Sequence, residues 1–525
     1  MRSKVYRFAI VFLFLATILI GVLYLIDQKG AAGPAVNLIQ PTPTEVILPS
    51  PTPRPTATPI IPPSRSEIPG DLDYFYGDWP AALSSYRGVL ESSPSDDEKA
   101  AAQLGLGKTY FQLGEYQKSL ESLRNLVTNY PQSPLLPEAY IALADSYQAL
   151  DRSLEEAGAY TNYLNLRPGV IDSYILERKG NALSSAQQHL PAIKAYQSAL
   201  AAAEDAEKQV IQLKMGEEYA ALEDHATAVV IFQEVYNQAS NDYQKARADY
   251  LLGKSYLELG ELPKAQQAFL DAVENYPLSY DSYLALVALV ESGYPVDELD
   301  RGLVDYFAGQ YSLAIEAFDR YLAQPEPEDP GTAYYYKAFA LRALEQYEKA
   351  LQVWEILIEN YPEHAYYDNA WEFKAYTEWW YLGLYSQASQ TLLDFVAENP
   401  YHPRAAEFLF DAGRIEERAG RLDTAATIWE RVFNEYPTSS YANRALFLTG
   451  ISHHRLDNFQ EALARFSTYQ QTSQSLEESS QALFWTGKAH QQLGNDEAAA
   501  AAWREAANTD PTGYYSERAR DLLQN

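Results

Sequence analysis

The chain has 525 residues, 71 acidic and 40 basic, a formal net charge of −31 at pH 7, and no cysteine. Neither a disulfide framework nor a thiolate metal site can be built from it. A surface this acidic repels phosphate backbones and anionic lipid, which argues against nucleic acid as a partner.

The first predicted element is a membrane segment. Residues 8–26 are nineteen in a row without a charge, roughly 28 Å long as a helix and enough to span a bilayer. Arg2, Lys4 and Arg7 precede them, which puts the N-terminus inside and the remainder outside. A cleaved signal peptide is the rival reading. The length of the apolar core and Pro34 within Ala31–Ala35 speak against it. Residues 1–30 are therefore expected to be a single-pass anchor in a bacterial cytoplasmic membrane, with membrane contact through residues 8–26 alone. Residues 31–70 carry eleven prolines, many in Thr-Pro steps, and read as a disordered stalk reaching on the order of 100 Å. The order of anchor, stalk and folded part points to the cell envelope.

From Gly77 onward a pattern recurs about every 37 residues. A Gly or small residue is followed by an aromatic or Leu two on, Ala five on, an aromatic nine on and often Pro seventeen on. It reads Gly77, Trp79, Ala82, Tyr86, Pro94, and later Gly260, Leu262, Ala265, Phe269, Pro277 and Gly420, Leu422, Ala425, Trp429, Pro437. In residues 248–277 the apolar positions lie three and four apart, one stripe on each of two helices. Gly253 lets those helices approach closely, and Phe269 fills the space between one pair and the next. Gly260 makes the turn, and Pro277 cannot continue the second helix. One interval is long: Pro277 to the equivalent Glu326 is 49 residues. The surplus predicts an extra helix over Ser282–Glu291 ending at Gly293. With the acidic, proline-rich run Gln324–Gly331 it suggests a joint between an arm of residues 71–325 and an arm of residues 326–525.

These frames resemble the tetratricopeptide repeat over residues 71–525. The resemblance implies an all-α, right-handed superhelical solenoid of about twelve tetratricopeptide-like helix pairs, here with an N-terminal transmembrane helix. Single copies depart from the pattern: Glu204 and Ser240 stand where Pro would, and the small residue of the first helix is missing near Tyr376. Solenoids of this kind usually bind rather than catalyse. In the family the first helices line a concave groove. Carried onto this sequence, that geometry exposes Tyr335, Phe339 and Arg342, then Phe373, Trp380 and Tyr381, then Phe410, Arg414 and Arg418. Aromatics and arginines together in an acidic chain suit an interaction hot spot.

Catalytic and metal chemistry find little support. Gly105-Leu106-Gly107-Lys108-Thr109 ends like a phosphate-binding loop, but the first glycine of that motif is replaced by Ala102. His453 and His490 hold positions that are tyrosine in other frames and read as packing residues. His453-His454 has no convincing partner ligands. No cofactor or metal is expected, and acid pairs such as Glu155-Glu156 read as solvated faces.

Two stretches resemble a narrower group. Tyr276-Pro-Leu-Ser-Tyr-Asp-Ser-Tyr-Leu-Ala-Leu, continuing into Gly302-Leu-Val-Asp-Tyr-Phe-Ala-Gly-Gln-Tyr, and Asp510-Pro-Thr-Gly-Tyr-Tyr-Ser-Glu-Arg-Ala-Arg-Asp-Leu-Leu are similar to the superhelical, non-catalytic region of soluble lytic transglycosylases. That family implies a peptidoglycan ligand and a lysozyme-like domain after the Tyr-Tyr helix. Its Glu-Ser acid/base motif has no supported counterpart here, so no residue is assigned a catalytic role. The leading expectation is a non-catalytic, membrane-tethered scaffold binding protein or peptidoglycan ligands. The alternatives are the scaffold part of a transglycosylase whose catalytic domain lies elsewhere, and a coordinator of envelope assembly or cell division.

Overall fold

Turns built from a left-handed residue set where the first helix of each hairpin stops. Gly260 has φ +73°, and Gly114, Gly309, Gly383, Gly420 and Gly494 repeat that conformation at the same place in other pairs. Ahead of the turn the helix start is fixed by a side chain. Asn241 accepts a hydrogen bond from the Tyr243 amide at 2.8 Å, and Asp329 accepts one from the Thr332 amide at 3.1 Å with Pro330 in the first turn. The computed structural model describes residues 68–92 and 95–524, and among these the chain forms 26 α-helices, one π-helical turn and no strand. Most are joined as two-helix hairpins of the predicted kind, for example Asp242–Glu258 with Leu262–Asn275, and Ala405–Arg418 with Leu422–Glu435.

Within a hairpin the first helix gives up a side chain so that the second can insert a ring. A Cβ on Gly253 would overlap the Phe269 ring, and one on Gly413 would overlap the Trp429 indole. The rings seated this way are fully buried or nearly so, Trp429, Phe318 and Phe466 among them. Burying an aromatic of this size is worth roughly 2–3 kcal/mol, so these contacts dominate each hairpin.

At the turns after five first helices the left-handed residue is not glycine: Asp151, Gln187, Glu223, Glu345 and Asp457 have φ between 56° and 63°. A side chain costs about 1 kcal/mol in that conformation. Glu345→Gly is accordingly expected to stabilise the chain by about 0.5–1 kcal/mol. A urea midpoint that falls or stays put on that substitution would show that the turn carries no strain.

The expected extra helix is present as Tyr280–Glu291, capped by Ser279 and followed by Gly293 at φ +71°. It lies against the hairpin before it through Ala285, Leu286 and Leu289, in one core cluster with Phe269 and Val273. A loop then leads to Glu298–Phe307, where Asp297 accepts from the amides of Leu299 and Asp300 at 2.8 and 3.3 Å. The helix thus has no second helix of its own before the next hairpin begins.

The expectation of an N-terminal transmembrane helix, and with it the single-pass membrane localisation, is corrected here. Among the described residues no helix is long and apolar enough to cross a membrane. Their apolar residues are spent in stripes on short amphipathic helices, whereas a span needs an apolar surface all round. Residues 8–26, on which the expectation rested, and residues 31–67 of the stalk expected over 31–70 lie outside the described residues.

Candidate binding surface

The helix Pro330–Ala343 carries Tyr335, Phe339 and Arg342 at spacings of four and three, so all three share one face. The next first helix, Tyr367–Tyr376, does not end like its neighbours but runs into a π-helical turn, Thr377–Tyr381. The cause is visible in the spacing. Pro362 to Pro400 is 38 residues, against 37 from Pro400 to Pro437, and a π turn absorbs one extra residue without breaking the helix. Counted from the helix start, Ala375 then takes the place that Gly413 holds in the following hairpin, and it is 1% exposed. The small residue that is missing at Tyr376 is therefore supplied one position earlier. Glu378 anchors the turn: wholly buried, it accepts hydrogen bonds from Gln387 Nε2 at 2.9 Å and Thr391 Oγ1 at 2.8 Å. Burial raises its pKa, opposed by those bonds and by Lys374.

The ring side chains after Ala375 build a platform. Trp380 is 58% and Tyr381 42% exposed. Trp380 stacks on Tyr376 at 6.0 Å and Tyr381 on Tyr347 at 4.8 Å. Between them and the preceding helix sits the Arg342 guanidinium, 4.5 Å from the Phe339 ring, 5.4 Å from Phe373, 5.6 Å from Trp354 and 5.8 Å from both Tyr376 and Tyr381. Burial draws its pKa below the usual arginine value, with the surrounding phenols opposing the shift. Its Nη1 is buried and has no hydrogen-bond partner among the described residues.

Four cations on or beside other first helices are placed differently. Lys214 meets Glu177 at 2.6 Å, Arg247 meets Glu217 at 2.6 Å, and Arg455 meets Glu417 at 3.3 Å. Arg404 bonds Asp368 at 3.1 Å, Glu372 at 2.7 Å and Glu407 at 2.9 Å. Each pairs with an acid of the preceding first helix, and Arg404 also with Glu407 on its own. Arg342 makes no such pair among the described residues.

The nine predicted site residues divide. Tyr335, Phe339, Arg342, Phe373, Trp380 and Tyr381 are brought together, with Tyr335 stacked on Tyr366 at 4.1 Å and Phe339 4.7 Å from Phe373. Arg418 joins them through Trp379, which its guanidinium covers at 4.6 Å and which touches Trp380 at 5.2 Å. Phe410 is 3% exposed and packs on Tyr441 and Trp429, and Arg414 pairs with Glu417 at 3.6 Å. These two serve the fold rather than the platform. Sequence reasoning missed Tyr376 and Trp354 as walls around Arg342; the 38-residue interval was the signal that the register shifts there. Elsewhere Lys108, from the false phosphate loop, lies on the helix Asp96–Gln112 and pairs with Glu138 at 2.5 Å.

Comparison with known proteins identifies the repeat. Tetratricopeptide repeat families match residues 70–134, 378–440 and 449–514, and residues 247–279 and 332–364. A TPR repeat-containing protein of Methanocaldococcus jannaschii is 23% identical over 213 residues, 40% of this chain. The match spans about a third (35%) of that curated relative's length. Among solved structures, a tetratricopeptide repeat protein from Parabacteroides merdae shares 15% identity over 52% of this chain and 98% of that one, at a TM-score of 0.30. The MamA protein shares 17% over 34% of this chain and 91% of that one, at 0.30. Residues 70–134, 247–279, 332–364, 378–440 and 449–514 are thus tetratricopeptide repeats within the all-α solenoid. The likeness to lytic transglycosylases is not among these findings and rests on the two quoted stretches alone.

Proposed function

We propose that this solenoid is a binding scaffold that holds a segment of a partner protein on the face built by residues 330–381. Tetratricopeptide repeats generally hold protein partners, and the unpaired helix Tyr280–Glu291 would divide this one into arms of residues 71–325 and 326–525. The observation that carries the reading is the platform itself. Trp380 and Tyr381 are large, flat and exposed at the end of a helix whose register is shifted to present them. Exposed aromatics beside arginines are what dominates interface energetics.

The test uses Trp380→Ala with Tyr381→Ala, two exposed changes expected to leave helicity intact. Proteins recovered by the wild-type chain from extracts of its own cells should fall about tenfold or more with the double variant. Equal recovery by both would sink the reading. Purified glycan strands form a second arm, because the transglycosylase resemblance points to peptidoglycan. Retention of glycan by the wild type alone, without any protein partner, would overturn the protein reading in favour of a carbohydrate surface.

A further inference from the structure

Resting on that reading, we infer that the partner segment carries an internal aspartate or glutamate whose side-chain carboxylate seats on Arg342. The box around Arg342 supplies attraction without acceptors. Five rings lie within 5.8 Å of the guanidinium, and their faces attract a cation, but they do not satisfy its five N–H donors. Nη1 is already buried and unpaired. In a chain with 71 acidic residues, Arg404 at the start of the helix Ala405–Arg418 collects three carboxylates, whereas Arg342 meets rings alone. Arg342 as a whole stays part-exposed, and a carboxylate reaching its guanidinium would find low-dielectric walls, the setting in which such bonds are short and strong.

The layout selects a side chain over a chain end. Aromatic surface continues on both sides of Arg342: the half-buried Tyr366, stacked on the buried Tyr335, lies toward the start of its helix, and Trp380, Trp379 and Arg418 lie beyond its end. A bound segment therefore has rings to cover before and after the carboxylate, and a terminus would leave one side bare. The residues flanking the acid should be aromatic or long aliphatic, matching Trp380 on one side and Tyr366 on the other. Arg418, over Trp379, offers a second acid a cation further along.

The bland alternative is that Arg342 merely braces the rings. A fluorescence-anisotropy panel separates the two. Labelled dodecapeptides with a central Glu between aromatic residues are compared with Gln-centred copies, each with a free and an amidated C-terminus. They are titrated against the wild type, Arg342→Gln, Arg342→Lys and Trp380→Ala. The wild type should prefer Glu over Gln by about tenfold, regardless of amidation. Arg342→Gln should abolish that preference, and Arg342→Lys should keep part of it. Equal binding of Glu and Gln peptides by the wild type overturns the inference, and so does a preference that survives in Arg342→Gln. If amidation removes binding, the carboxylate is a chain end and the side-chain assignment fails. Should circular dichroism show Arg342→Gln unfolded, the wild-type preference and its attenuation in Arg342→Lys decide the matter. Peptide binding indifferent to Trp380→Ala would instead remove the proposed function. Lost partner capture in the 380/381 variant without any Glu preference removes this inference alone.

Discussion

Trp429→Ala is expected to lower the unfolding free energy by about 3–5 kcal/mol, the largest effect of a single side chain in this fold. Trp429 is 0% exposed, and its indole sits where Gly413 leaves room. Its Nε1 donates to the Phe410 carbonyl at 3.1 Å, and Trp503 makes the same bond to Phe484 two hairpins later. Removing the ring leaves a cavity between two helices that cannot close, because the backbone at Gly413 is already at the limit of approach. In a solenoid each hairpin touches only its neighbours, so the lost contact is a lost coupling between the parts on either side. Urea unfolding followed by circular dichroism should therefore shift to lower midpoint and broaden or split, with hydrogen exchange rising first in the helices from Ala405 to Arg455. Trp429→Phe keeps most of the volume and should cost less than about 1.5 kcal/mol. A sharp single transition at the wild-type midpoint in Trp429→Ala would show that the stack does not depend on this ring.

How much of this was legible before the coordinates follows from what repeats and what does not. Gly253 over Phe269, and Gly413 over Trp429, lie sixteen residues apart in every regular frame. Sequence periodicity therefore reported both the hairpins and their cores. The extra helix Tyr280–Glu291 was legible for the same reason, as a surplus in the interval from Pro277 to the equivalent Glu326. The platform was half legible. Counting along an unbroken helix put Phe373, Trp380 and Tyr381 on the groove face. Phe373 and Tyr381 lie beside Arg342 and Trp380 lies on Tyr376, with Trp380 and Tyr381 in a π turn that the count did not foresee. Phe410 was misread because its position in the repeat is a rule about faces. Whether that face is open depends on the neighbour, here Tyr441, which covers it at 5.3 Å. The isolation of Arg342 was not legible, since an ion pair between first helices depends on which residues thirty or more positions away come opposite.

The pH dependence of stability gives the second large effect, and Asp249 carries most of it. The residue lies on the helix Asp242–Glu258, is 3% exposed, and has one carboxyl oxygen buried without a hydrogen-bond partner. Desolvation, reinforced by Asp271 on the facing helix and opposed by Lys245, pushes its carboxyl up to about 8. Glu156, 4% exposed, is pushed to about 7, and Asp305, 3% exposed, to about 6, in both cases by burial first. Below about pH 4 each group is protonated folded and unfolded, and contributes no slope. Between there and the folded value the unfolded chain has released a proton that the folded chain still holds, so stability falls as pH rises. For Asp249 the fall is complete above about pH 8 and amounts to a loss on the order of 3–5 kcal/mol. The chain should therefore be most stable near pH 5 and weaken toward pH 9. Asp249→Asn stays neutral throughout: its advantage over the wild type should be small near pH 5 and grow by a few kcal/mol toward pH 9. Urea midpoints at the two pH values decide the point. Parallel losses in both chains would mean that Asp249 is not the group that titrates, and that repulsion across a surface of net charge −31 sets the slope instead.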